Sequence, residues 1–187
     1  MKSNTFKEYI APVVVLVAIC LVITTALAFT YSVANPIIVA NNKKAADEAR
    51  VELLADADAF TQYEGEMATV DKATATEVYT ANNGAGAVIT VQTSSFGGAL
   101  TMMVGIDGEG KVTGVKVTNH ADTPGVGTKN WDSGNRNHAY DGAAEMTSTS
   151  VKNAGVEYVT GASVTGQALH VGVCCALEQF KLMGGAK

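Results

Sequence analysis

The sequence is poor in the residues from which metal centres, disulfide frameworks and hydrolytic sites are built. It has three cysteines and three histidines in 187 residues, and none stands at a metal-finger spacing. Cys20 sits in an apolar run, while Cys174 and Cys175 are adjacent. Neighbouring residues on a helix point in different directions, so a bond between those two would be strained. They read instead as thiols that pack as small hydrophobes. A Ser-His-Asp order is missing, as are paired carboxylates with an acid–base logic and the G-x-x-x-x-G-K-S/T phosphate loop. Basic charge is also short. Beyond residue 44 the chain carries 9 basic and 17 acidic side chains, which argues against nucleic acid or an anionic lipid surface as partner. No internal repeat or low-complexity tract is visible.

From Ile10 to Ala34 charge is absent altogether. About 20 apolar residues cross the hydrocarbon layer, so residues 10–34 are expected to form a single transmembrane helix behind an N-terminal segment, 1–9. A cleaved signal peptide is the alternative, because Ala26-Leu27-Ala28 resembles a signal-peptidase site. The apolar run is long for a signal and continues past that site, which favours the anchor. Bulky Ile19 before Cys20 speaks against a lipoprotein. Lys2 and Lys7 precede the span and Lys43, Lys44 and Arg50 follow it, so the positive-inside rule leaves orientation open.

Asn35-Pro36 is expected to end or kink that helix. Ala45, Ala49, Leu53 and Ala57 then recur at helical spacing among acids and bases, as in a stalk. Residues 61–87 are polar and weakly signalled, so 35–86 reads as stalk helix and linker. From Ala87, AVITVQTS alternates as a strand does. ALTMMVGID follows as a second strand, Gly108-Glu109-Gly110 as a turn and KVTGVKVTN as a third. They form an antiparallel meander with one face available for a core. HADTPGVGTKNW reads as an irregular loop, and residues 132–155 as polar and irregular. A helix is predicted from about Ser163 to Met183, with Leu169, Val173, Ala176, Leu177 and Phe180 as its apolar stripe. The fold class is therefore α+β: an N-terminal transmembrane helix, then one domain over 87–187 with an antiparallel sheet and packed helices.

Where strand-like VEYV gives way to that helix, the chain reads Thr160-Gly161-Ala162-Ser163-Val164-Thr165. A helix start has unpaired N–H groups and the positive end of the dipole, which favour an anion. Gly161 and Ala162 let a bulky group approach the backbone, and Ser163 can cap the helix or meet a phosphate oxygen. A hydroxyl-rich helix start that is merely solvated is the plainer alternative.

TGASVT resembles the flavinylation motif of the FMN-binding domain family, Ser/Thr/Asp-Gly-Ala-Ser/Thr-x-Thr. In that family a flavin transferase joins FMN to the last threonine through a phosphoester, which here implies Thr165. A second stretch, His120-Ala121-Asp122-Thr123-Pro124-Gly125-Val126-Gly127-Thr128-Lys129, resembles the family's H-x-E-T-P-G-L-G-x-K loop. The resemblance implies that this loop lies against the flavin. Pro124, Gly125, Val126 and Gly127 would offer a low backbone for the flat ring, with His120, Thr123 and Lys129 at its polar edge. Asp122 stands where the family usually has Glu, and its loss is expected to spare attachment and shift the flavin's reduction potential. Trp131 reads as core, with a place beside the ring as the alternative; His138 and His170 read as structural or solvated.

The anchor, length and order of elements resemble the G-subunit family of Rnf complexes, membrane-bound ferredoxin:NAD oxidoreductases that move ions. The resemblance implies an electron-carrying subunit of an oxidoreductase with covalent FMN and no substrate pocket of its own. Its implied partners are other membrane subunits of the complex and a maturing flavin transferase. Its implied place is the cell membrane, single-pass, with the soluble domain on the extracytoplasmic side. Three alternatives stay open. The C subunit of sodium-pumping NADH:quinone oxidoreductases uses the same domain but is generally longer, and the short polar stretch before residue 88 favours the Rnf type. The others are a stand-alone anchored flavoprotein and an assembly subunit without cofactor.

Overall fold

The computed structural model of the chain describes residues 9–132, 137–156 and 159–185. It divides into two compact units, Met1–Ala45 and Ala46–Lys187. Helix α1 runs over Ala11–Leu53 and is, among the described residues, long and apolar enough to cross a membrane. Pro36 lies inside it, so of the two outcomes expected at Asn35-Pro36, an end or a kink, the helix does not end there. A proline removes one N–H from the ladder, and flanking turns that keep their own bonds can carry the chain through. Hydroxyls in the apolar stretch are satisfied locally. Thr25 donates to the Leu21 carbonyl at 2.7 Å and Thr30 to that of Ala26 at 2.9 Å, so neither needs water. Of the expected N-terminal segment, residues 1–8 lie outside the described residues.

In the second unit, six antiparallel strands form one sheet: β1 (Phe60–Gln62), β2 (Thr69–Val70), β3 (Ala73–Ala81), β4 (Gly86–Ser94), β5 (Ala99–Asp107) and β6 (Val112–Asn119). Their order is β1-β3-β4-β5-β6, with β2 also paired to β3. The three strands expected from Ala87 onward are β4, β5 and β6. The stretch read as linker carries three of the strands, β1 to β3, and lies in the compact unit that begins at Ala46. Its strand β3 buries Ala73, Ala75, Val78 and Ala81. Alanines alternating with threonines give too little contrast in hydrophobicity to show as a strand.

Both faces of the sheet are covered, where one was expected. On one side lies α3 (Ser163–Leu182), and it buries the predicted stripe of Leu169, Val173, Ala176, Leu177 and Phe180 against Ile89, Val91, Met102 and Val104. Each of the larger of these side chains stabilises the fold by about 1.5–3 kcal/mol. On the other side the last turns of α1 and the residue after it put Ala49, Leu53 and Leu54 on Ala81, Val88 and Met103. A Cβ at Gly105 would lie 2.7 Å from the Leu53 carbonyl oxygen, so a glycine is needed for that approach. Arg50 stacks 3.7 Å from the centre of the Tyr79 ring and pairs with Asp47 and Glu77. Because β4 is covered twice, residues 86–91 are all buried.

The segments read as irregular hold short helical turns, α2 (Lys129–Asp132) and a 3-10 turn at Asn137–Tyr140. In α2 the Thr128 carbonyl accepts from Trp131 N–H at 2.9 Å and Asp132 N–H at 2.7 Å. Local closure of this kind leaves no periodicity to read. Residues 133–136, and Glu157 and Tyr158 of the strand-like VEYV, lie outside the described residues.

Besides Thr165, two polar side chains of α3 are fully buried. Gln179 accepts from Ala68 N–H at 2.5 Å and donates to the Glu66 carbonyl at 3.1 Å. His170 meets the Ser148 carbonyl through Nε2 at 2.8 Å and stacks on Tyr140, and its Nδ1 has no partner. Burial holds its pKa below the usual histidine value. The unfolded chain therefore takes up a proton there before the folded one does. Stability present above the ordinary histidine pKa of about 6.5 falls as pH drops through it toward the lower folded value. Denaturation midpoints of the detergent-solubilised chain should decline over that range, and His170→Gln should flatten the decline.

Candidate functional site

Two segments meet at the start of α3. One is the loop 120–131. Its Thr123 carbonyl accepts from the N–H groups of Val126 and Gly127, both at 3.1 Å. The turn so closed has Pro124 second and Gly125 third, and Gly125 takes a φ of +74°. Proline presets the second position and glycine alone takes the third without strain. Gly125 N–H donates to the Thr128 hydroxyl at 2.9 Å. The second segment is the turn at 160–162, where Gly161 has φ +87°. Ala162 occupies the N-cap position and makes no side-chain cap bond. Ser163 is thus the first residue within the helix, and the capping role considered for it does not hold.

Asn130 ties the segments together. Only 2% exposed, it donates from Nδ2 to the carbonyls of Gly127 and Ala162, each at 3.1 Å. Its Oδ1 accepts from Val159 N–H at 3.4 Å.

Asp122, 5% exposed, lies under both. Its Oδ1 accepts from Gly97 N–H at 2.8 Å and from the Thr165 hydroxyl at 3.1 Å. Its Oδ2 is buried without a partner. Two glycines make the space: a Cβ at Gly127 would lie 2.7 Å from Asp122 Cβ, and one at Gly97 would lie 2.3 Å from the Ala121 carbonyl oxygen. The carboxylate is therefore at the hydroxyl of Thr165, a place that its expected role at the ring did not include.

A cleft of about 190 Å³ opens at this point. Of the residues singled out in the sequence, Thr123, Val126, Gly127, Gly161, Ala162, Ser163 and Thr165 line it. Thr160, Pro124, Gly125 and Lys129 are exposed and do not line it. His120 packs edge-on against Trp131, ring centres 5.1 Å apart, and Trp131 rests partly buried on the core. Phe96, Asp122 and Val164 complete the lining; Phe96 is 83% exposed, and Val126 and Val164 are each 52% exposed. A lone phenylalanine before two glycines carries no signal of its own. Asn130 was legible only as part of a loop.

The arrangement is suited to an anion and a flat apolar group together. The first N–H groups of α3 have no partner within the helix, a hydroxyl stands beside a carboxylate, and three apolar side chains form the rim.

Residues 95–178 match the model of the FMN-binding domain family. The chain carries an FMN-binding domain. Over 175 residues it is 25% identical to the G subunit of the proton-translocating ferredoxin:NAD(+) oxidoreductase complex of Clostridium ljungdahlii, spanning 90% of this chain and 89% of that protein. Over 137 residues it is 30% identical to the G subunit of the ion-translocating oxidoreductase complex of Stutzerimonas stutzeri, spanning 65% of this chain and 55% of that one. The match to the FMN-binding domain takes in the whole cleft, from Phe96 to Thr165, and stops within α3.

Asn130→Ala would remove the amide bonds to the Gly127 and Ala162 carbonyls, leaving each with one backbone N–H partner, and would take the acceptor from Val159 N–H. It should cost roughly 1–3 kcal/mol, read as a lowered denaturation midpoint. An unchanged midpoint would mean that the loop and the turn hold together without it.

Proposed function

We propose that this protein is a membrane-anchored electron-transfer subunit of an ion-translocating ferredoxin:NAD oxidoreductase of the Rnf type, carrying FMN esterified through its phosphate to Thr165. The observation that carries the reading is the Thr165 hydroxyl on the floor of a cleft at an uncapped helix start. The residues present fit the cofactor. The first turn of α3 supplies N–H groups and a favourable dipole for a phosphate. Gly161 and Ala162 keep side chains out of its way, and Phe96, Val126 and Val164 give apolar surface to a flat ring. When bound, FMN supplies the redox chemistry. The chain's part is to hold it, orient it and keep it from being lost.

Other membrane subunits of the complex are the partners, and a flavin transferase is the maturing enzyme. The soluble unit faces the extracytoplasmic side, where a dissociated flavin is not readily replaced and a covalent bond therefore matters most.

Thr165→Val should abolish the FMN-sized mass increase on the peptide containing residue 165 in protein made alongside a flavin transferase. Ser163→Ala should keep it. An adduct surviving the Thr165 substitution would remove the acceptor assignment. The side of the membrane is tested with Glu109→Cys, at an exposed turn, in a chain whose native domain cysteines are buried. Labelling of intact cells by an impermeant maleimide is expected, and labelling only after lysis would reverse the orientation.

A further inference from the structure

We infer that Asp122 is the catalytic base that this chain contributes to its own modification, taking the proton of Thr165 as the phosphoester forms. The inference rests on the reading of Thr165 as acceptor and adds a role that the loop's place beside a flavin does not require.

A threonine hydroxyl is a weak nucleophile, and a positioned carboxylate within hydrogen-bond reach is what general-base catalysis needs. Asp122 Oδ1 lies 3.1 Å from Thr165 Oγ1, and the hydroxyl is the donor. The carboxylate is fixed by Gly97 N–H at 2.8 Å and is 5% exposed. Its second oxygen, buried and unpartnered, is a cost that packing alone does not explain.

The step balances without oxidation or reduction. Esterification by a simple phosphate monoester would have to expel hydroxide, so the donor must carry FMN in a pyrophosphate, as a flavin dinucleotide does. Thr165 Oγ1 bonds to the flavin-side phosphorus and the pyrophosphate P–O bond breaks. The nucleoside monophosphate leaves with that electron pair, and the hydroxyl proton passes to Asp122. The protonated acid then carries no charge beside the new phosphodiester anion. One carboxyl thus activates the hydroxyl and afterwards avoids repelling the product.

The test uses the full-length chain, purified in detergent from a host without flavin transferase. It is incubated with a purified flavin transferase, flavin adenine dinucleotide and Mg²⁺, and the adduct is followed by intact mass. Asp122→Asn keeps an acceptor for both Gly97 and Thr165 while removing the base. Its initial rate should fall on the order of 100-fold or more, with its denaturation midpoint near that of the unsubstituted chain. Asp122→Glu, which restores an acid, should recover much of the rate. An Asn variant modified at the unsubstituted rate would overturn the inference and leave the acceptor assignment standing. Asn and Glu variants equally slow would also overturn it, since shape rather than acidity would then be at fault. Absence of adduct on the unsubstituted chain would remove the acceptor reading itself, and the inference with it.

Discussion

The hydrogen bond from Thr165 to Asp122 is the contact on which the site depends, and much of the fold is needed to make it. The two residues are 43 positions apart. Pairing of β5 with β6 sets Thr101 opposite Asn119, so the end of β6 returns to the start of β5. That register brings residues 120–122 beside the turn at 95–98 and lets Gly97 N–H reach the Asp122 carboxylate. On the far side α3 arrives fixed by its apolar stripe, with Thr165 in its first turn. Neither partner would be placed by its own local sequence.

The contact is also costly. A carboxylate is held almost out of water with two donors on one oxygen and none on the other. Burial of a polar oxygen without a partner opposes folding. The surrounding structure offsets this by rigidity and by omission. Gly97 and Gly127 leave out the side chains that would press on the backbone and on Asp122, and Asn130 uses its amide to clamp the loop to the turn. A site arranged only for stability would place an apolar residue at 122.

The legible parts of the chain were those with strong contrast. Strands β4 to β6 and helix α3 show in the sequence because branched apolar residues recur at strand or helix spacing. Strand β3 does not, since its inward positions are mainly alanines. The helical run through Pro36 was not legible because a proline lowers helix propensity locally, whereas a long helix averages over many turns. At the site, the two motifs marked the right neighbourhood, and seven of the twelve residues they single out line one cleft. Asp122 was visible as a departure within the loop, but its partner was not, because a side-chain contact across 43 residues leaves no trace in one sequence. Asn130 and Phe96 were missed for the same reason.

Thr165 is only 1% exposed, yet the proposed attachment would bring a phosphorus atom to its oxygen. The body of α3 cannot yield, because residues from Leu169 to Phe180 are packed into the main core. The elements around the hydroxyl that can give way are the loop at 120–131 and the turn at 160–162. Both have glycines at positive φ with no neighbouring atoms within 4 Å of a notional Cβ, at Gly125 and Gly161. Their tie to one another runs through the Asn130 amide, which donates to the Ala162 carbonyl and accepts from Val159 N–H. On the proposed reading, access to Thr165 is governed at Asn130 and its activation at Asp122, so one short loop would carry both controls while the helix that bears the hydroxyl stays fixed.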